Sequence, residues 1–206
     1  MIRPSFRLLA LSLILAISAC SSNTISERSS PPATSNTYFF EQNIGQLDDP
    51  VSYLLHEKQR QVFFTPTEVV YLYTASKEKP GLVIRQSFPD LPPTTPQGTV
   101  PAGTQLSRFI GNDHDKWEKD IPTFHALTYG EKSLQFRLYN NQLMISASEP
   151  VTLQFAGNND LRIDEQGSVI LETDIGLIPM PHLGGLKAKK INEHQLLLSP
   201  TEDLQK

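Results

Sequence analysis

A single cysteine and a single tryptophan stand in a chain of 206 residues. One thiol closes no intramolecular disulfide and builds no cysteine-based zinc cluster, which needs two to four. Basic residues are no more plentiful than acidic ones: 18 Lys and Arg against 22 Asp and Glu leave a formal charge of −4. That balance lacks the electrostatic footprint of a nucleic-acid binder, whose affinity rests on neutralised phosphates. The histidines, His56, His114, His125, His182 and His194, fall into no H-x-x-x-H or H-E-x-x-H spacing, and no G-x-S-x-G nucleophile elbow is present. Carboxylate pairs for glycoside hydrolysis meet only in a fold, and among 22 acids some pair arises by chance. Neither a metal nor a cofactor is therefore expected, and binding is favoured over catalysis.

What is present begins at the N-terminus. Arg3 and Arg7 precede an apolar run from Leu8 to Ala19. This is the layout of a secretory signal, and the run is shorter than the roughly 20 residues of a membrane-spanning helix. Ile17-Ser18-Ala19-Cys20 resembles the bacterial lipobox, and the chain's one thiol falls on its obligatory cysteine. The resemblance implies cleavage before Cys20 and diacylation of its sulfur. Two or three acyl chains hold a protein firmly, at about 0.8 kcal/mol per buried CH₂. It also implies the outer membrane as destination, facing periplasm or cell surface, because Ser21 rather than Asp follows the cysteine. Cleavage there leaves 187 residues with 16 basic and 22 acidic side chains, a balance of −6. Residues 21–36 are almost devoid of large apolar groups and read as a flexible tether.

The rest is punctuated like an all-β chain. Short runs rich in Val, Ile, Phe, Tyr and Leu are separated by Gly, Pro, Asn and Asp, and no sustained 3.6-residue periodicity follows the signal. Strands are expected at 51–55, 61–64, 68–73, 82–88, 105–110, 126–129, 134–139, 143–148, 151–155, 161–164 and 169–173. Two hairpins are explicit. Asn140-Asn141-Gln142 turns the chain between two alternating runs, and Gly167 closes Asp164-Glu165-Gln166-Gly167 as a bulged turn. Residues 89–104 carry five prolines and two glycines and are expected to form a long exposed loop. The expected fold is all-β: one antiparallel, β-sandwich-like domain with short or no helices. Its parts are the signal at 1–19, lipidated Cys20 and tether at 20–36, the β-domain at 37–200 and a tail at 201–206.

Several segments of this domain resemble a known family. Phe40-Glu41-Gln42-Asn43-Ile44-Gly45-Gln46 is similar to an F-x-x-N-x-G-Q opening. Arg108-Phe109-Ile110-Gly111-Asn112-Asp113, with Lys116-Trp117 and Ile121-Pro122, is similar to a central F-I-G-N-D signature. Residues 151–157 and 161–173 resemble L-x-F-x-G and a D-x-x-G hairpin. The family is an uncharacterised β-rich domain of bacterial surface proteins, often placed ahead of SBBP-type β-propeller repeats. It implies an extracytoplasmic β-domain and carries no established activity. Tyr129-Gly130-Glu131-Lys132 departs from the Y-P-G-I-D-L that usually follows, and no propeller repeat occurs in these residues.

The chemistry left to weigh is modest. Asn112, Asp113 and Asp115, near Asp120, gather oxygen ligands that suit Ca²⁺, but no Gly at the sixth position and no Glu at the twelfth complete an EF-hand loop. An Asx-type turn accounts for the same residues. Trp117 is read either as a stacking platform or as a core residue with its N–H satisfied. Together Trp117, Asn112, Asp113 and Asp115 form the candidate ligand or partner contact. Asn43, Gly45, Gln46, Gly111 and Gly167 are read as structural, the glycines permitting φ > 0 and the amides capping backbone. The partners expected are membrane lipid through Cys20 and either another envelope protein or a glycan, with a hydrolase as the remaining class.

Overall fold

In the computed structural model, residues 38–77, 80–108, 117–130 and 134–201 are described. They hold sixteen strands and no helix. The first five are β1 (Phe40–Gln42), β2 (Tyr53–His56), β3 (Arg60–Phe64), β4 (Glu68–Tyr73) and β5 (Leu82–Ser87). There follow β6 (Gln97–Arg108), β7 (Glu118–Tyr129), β8 (Leu134–Tyr139), β9 (Gln142–Ser146) and β10 (Val151–Ala156). The last six are β11 (Asp160–Ile163), β12 (Val169–Thr173), β13 (Gly176–Pro179), β14 (His182–Leu183), β15 (Leu186–Asn192) and β16 (Gln195–Pro200).

Thirteen strands form one sheet along the path β14-β9-β8-β7-β1-β2-β3-β4-β5-β10-β16-β15, with β6 paired to β7 off that path. All these pairings are antiparallel except β14 on β9. The path's two end strands are consecutive in the chain, separated only by Gly184 and Gly185, so the sheet nearly closes into a barrel. The curl follows from the right-handed twist that each strand adds to the next. Its result is visible inside: Phe64 of β3 and Phe136 of β8, four steps apart along the path, meet edge to face at 5.3 Å. β11, β12 and β13 form a separate antiparallel sheet whose Leu161, Val169, Leu171 and Ile178 join the same core.

Period-two alternation sorts the faces. In β8, Leu134, Phe136 and Leu138 are buried while Gln135, Arg137 and Tyr139 are not. One row breaks the rule usefully. Glu41, on the face of β1 opposite core residue Phe40, is buried, as are its register partners Leu54 and Thr123. The β6–β7 pair reaches them there: Arg108 pairs with Glu41, and the Thr123 hydroxyl donates to the Thr104 carbonyl.

The strands expected at 68–73, 134–139 and 169–173 are observed with those bounds. The turn between β8 and β9 is tighter than expected, two residues with φ of 49° at Asn140 and 59° at Asn141, the geometry of a two-residue hairpin with both central residues left-handed. Gly167 sits at φ 81° and the Asp164 side chain accepts from the Gln166 and Ser168 N–H groups, closing the β11–β12 hairpin.

The expected loop at 89–104 needs correction, since residues 97–104 belong to β6. That strand pairs with β7 alone, and its register shifts at Val100/Pro101 and Pro101/Gln105. A strand bonded on one side accommodates a proline that has no N–H to give. β1, β13, β14, β15 and β16 carried no expectation. The first four are short, proline-flanked or lysine-rich, and their pairing comes from distant partners.

Candidate functional site

An open groove of about 900 Å³ lies where four connections converge: the β2–β3 turn, the chain beyond β4, the β8–β9 turn and the segment running through β13. Its polar centre is built by the β2–β3 hairpin. The Glu57 N–H donates to the Arg60 carbonyl, closing the turn, and this sets the two side chains on one side of it. Arg60 then donates from Nε and Nη2 to both oxygens of Glu57 and from Nη1 to the Tyr73 hydroxyl at 3.0 Å. Its guanidinium also lies 5.5 Å from the Tyr71 ring centroid and 5.9 Å from that of Tyr73, within the range of cation–π attraction.

Burial works against the charge of Arg60, but hydrogen bonding and attraction from Glu57 and Tyr73 more than offset it, so the guanidinium is held more firmly protonated than in water. The same burial pushes the Tyr73 phenol above its ordinary range. The arrangement is a pre-formed, internally neutralised donor and acceptor set. Its walls are apolar: Leu177, 60% exposed, with Ile175, Met180 and three prolines, Pro80, Pro179 and Pro181. Tyr38 lines the same groove and gives its N–H to Asn141.

The opposite end of β3 and β4 holds a smaller hollow of about 340 Å³ between Pro66, Phe88, Leu91, Pro92 and Tyr129. The proline segment after β5 folds onto this end through Leu91 N–H to the Phe88 carbonyl and Thr94 N–H to the Pro66 carbonyl.

Asn43, Gly45 and Gln46 form a knot that uses each side chain several times. Asn43 Oδ1 accepts from the N–H groups of Gly45 and Leu47 at 3.0 and 3.1 Å, and its Nδ2 donates to the carbonyls of Leu47 and Val51. Gly45 turns at φ 126°, which suits glycine. Gln46 accepts from the Ile44 N–H and donates to the Gln42 carbonyl and to Glu41. Glu41 in turn accepts from Arg108 at 2.8 Å. The opening motif is thereby bolted to Arg108, the first residue of the central signature.

The same Arg108 nitrogen lies 3.1 Å from His56 Nε2. A guanidinium only donates, so that nitrogen is the unprotonated acceptor. Burial lowers the affinity of His56 for a proton, Glu41 raises it and Arg108 lowers it, with a net downward shift. A depressed folded value means that this group's contribution to stability is present above the ordinary histidine value of about 6.5 and is lost as pH falls through the folded value. The urea midpoint of the wild type should therefore drop between pH 7.5 and 5.5 by more than that of His56→Gln. Parallel curves for the two proteins would refute this.

Among the other expected residues, Trp117 is half-buried immediately ahead of β7. Gly111, Asn112, Asp113 and Asp115 lie outside the described residues, as do Ile17, Ser18, Ala19 and Cys20. Among the described residues no group of three His, Cys, Asp or Glu is placed to hold a metal ion, and no helix is long and apolar enough to cross a membrane. The groove residues Arg60, Glu57, Tyr73 and Leu177 went unread in the sequence. Glu57-x-x-Arg60 astride a turn was their one local signal.

Set against known families, residues 40–181 match the model of a domain of unknown function, DUF7948. No curated protein and no solved structure matches the chain.

Proposed function

Because the chain belongs to the DUF7948 family, whose activity is unknown, we propose that it is a lipid-anchored protein of the bacterial outer membrane whose β-domain binds another envelope component without catalysis. The observation that carries this reading is the groove: a large concavity, mostly apolar, with a rigid polar centre and an exposed Leu177 on its wall. Such a surface is the ordinary form of a binding site. The resemblance to domains of bacterial surface proteins supports an extracytoplasmic setting.

Two measurements test it. Cys20→Ser should leave the protein in the soluble envelope fraction or as an unprocessed precursor. A membrane-bound protein of unchanged mass with no precursor would sink the anchor. A photoreactive residue at Leu177 of the anchored protein should capture one dominant envelope component in intact cells. Efficient recovery of the bait with nothing attached would sink the binding role.

A further inference from the structure

From the groove's chemistry we infer that its ligand is a neutral oligosaccharide, held by Arg60, Glu57 and Tyr73 at the centre and by the Leu177 and Tyr38 walls. This rests on the binding role proposed above and names its ligand.

The centre is charge-balanced. Glu57 and Arg60 are 14% and 15% exposed and paired through two hydrogen bonds, so neither sign of ligand is selected there. Lys58 stands exposed at the rim, where water screens a lone charge. Arg60 directs three of its five N–H groups at Glu57 and Tyr73, leaving two without an acceptor among the described residues. Glu57 keeps lone pairs on both carboxylate oxygens. Donor and acceptor are thus held side by side by two hydrogen bonds, which suits adjacent hydroxyls of a sugar, each of which both gives and takes a hydrogen bond. Because Tyr73 and the turn lock these groups before binding, little side-chain entropy is lost when a ligand arrives.

The walls point the same way. A bound peptide strand would need a ladder of free backbone N–H groups, and the strand along this groove, β13, ends in Pro179 with Pro181 two residues on, while Pro80 lines the same groove. Recognition here is by side chains. Tyr38, Tyr73 and Leu177 supply the aromatic and aliphatic surface that the apolar face of a pyranose ring covers. The volume, about 900 Å³, lies near the upper end of the roughly 300–1,000 Å³ of ligand sites and has room for several rings.

The test is titration of the full chain, held in a sugar-free detergent, with maltotetraose, cellotetraose and chitotetraose, followed by calorimetry and amide NMR. At least one should bind with a millimolar or tighter constant, unchanged by added salt. Leu177→Asp and Tyr73→Phe, both checked for an unaltered unfolding midpoint, should each weaken binding about tenfold or more, a change of about 1.4 kcal/mol. Stronger, salt-sensitive binding of an acidic tetragalacturonate would overturn the neutral assignment. Binding that both variants leave intact would overturn the site. If no saccharide binds while Leu177 still captures a single envelope protein, the ligand class is wrong and the binding role stands. If both fail, both readings fall.

Discussion

Replacing Gly157 by alanine is expected to cost about 3 kcal/mol or more, because two penalties add there: a left-handed residue at about 1–3 kcal/mol and a forced contact at a similar cost. The residue follows β10 at φ 93°, and an ideal Cβ would stand 2.2 Å from the carbonyl oxygen of Val83 and 3.4 Å from Ile84 Cδ1. The first of these is backbone of the paired strand β5 and cannot swing aside. For a chain of this size each kcal/mol lowers the melting temperature by about 2–4 °C, so a drop on the order of 6–12 °C is the expected calorimetric result. Gly167 is the control. It also has positive φ, at 81°, but its absent side chain would meet nothing within 4 Å. Gly167→Ala should therefore lose only the backbone term. Equal losses at the two sites would show that the approach to Val83 does not matter. The final glycine of the L-x-F-x-G segment thus has a physical reason: β10 and β5 come too close there for any side chain.

The second large effect is expected at Arg108→Met. Glu41 is 1% exposed, and Arg108 is its cation. Removing one member of a buried pair leaves a charge without its counter-charge, here with only the Gln46 amide donating to it, at a typical cost of about 3–5 kcal/mol. The guanidinium here is partly open to solvent, so about 2–3 kcal/mol is the expected loss in urea unfolding, after discounting for screening. Adding Glu41→Gln to that variant should return most of the loss, since the amide carries no charge and still faces Gln46. A coupling energy above about 1 kcal/mol between the two positions is the diagnostic. Additive losses would mean that Arg108 acts through packing of its aliphatic stem instead. The pair also joins the two motif segments, so the variant is expected to loosen Asn43–Gln46 backbone protection in hydrogen exchange.

Local sequence sufficed where the physics is local. Alternation in Leu134–Tyr139 determined a strand and its buried face, Asn140-Asn141 determined its turn, and Asp164 with Gly167 determined another, because period two and left-handed φ are properties of neighbouring residues. The Asn43, Gly45 and Gln46 knot was legible for the same reason, as all its hydrogen bonds close within eight residues. Tertiary structure alone decided what depends on distant pairing. Residues 97–104 became strand despite Pro101 because β7 offered a partner on one side only. Glu41, a charged residue at an outward position of β1, became buried because Arg108, 67 residues on, came to neutralise it. The groove around Arg60 exists because a barrel brings to one end turns from four parts of the chain, and no spacing along the chain records which turns share an end.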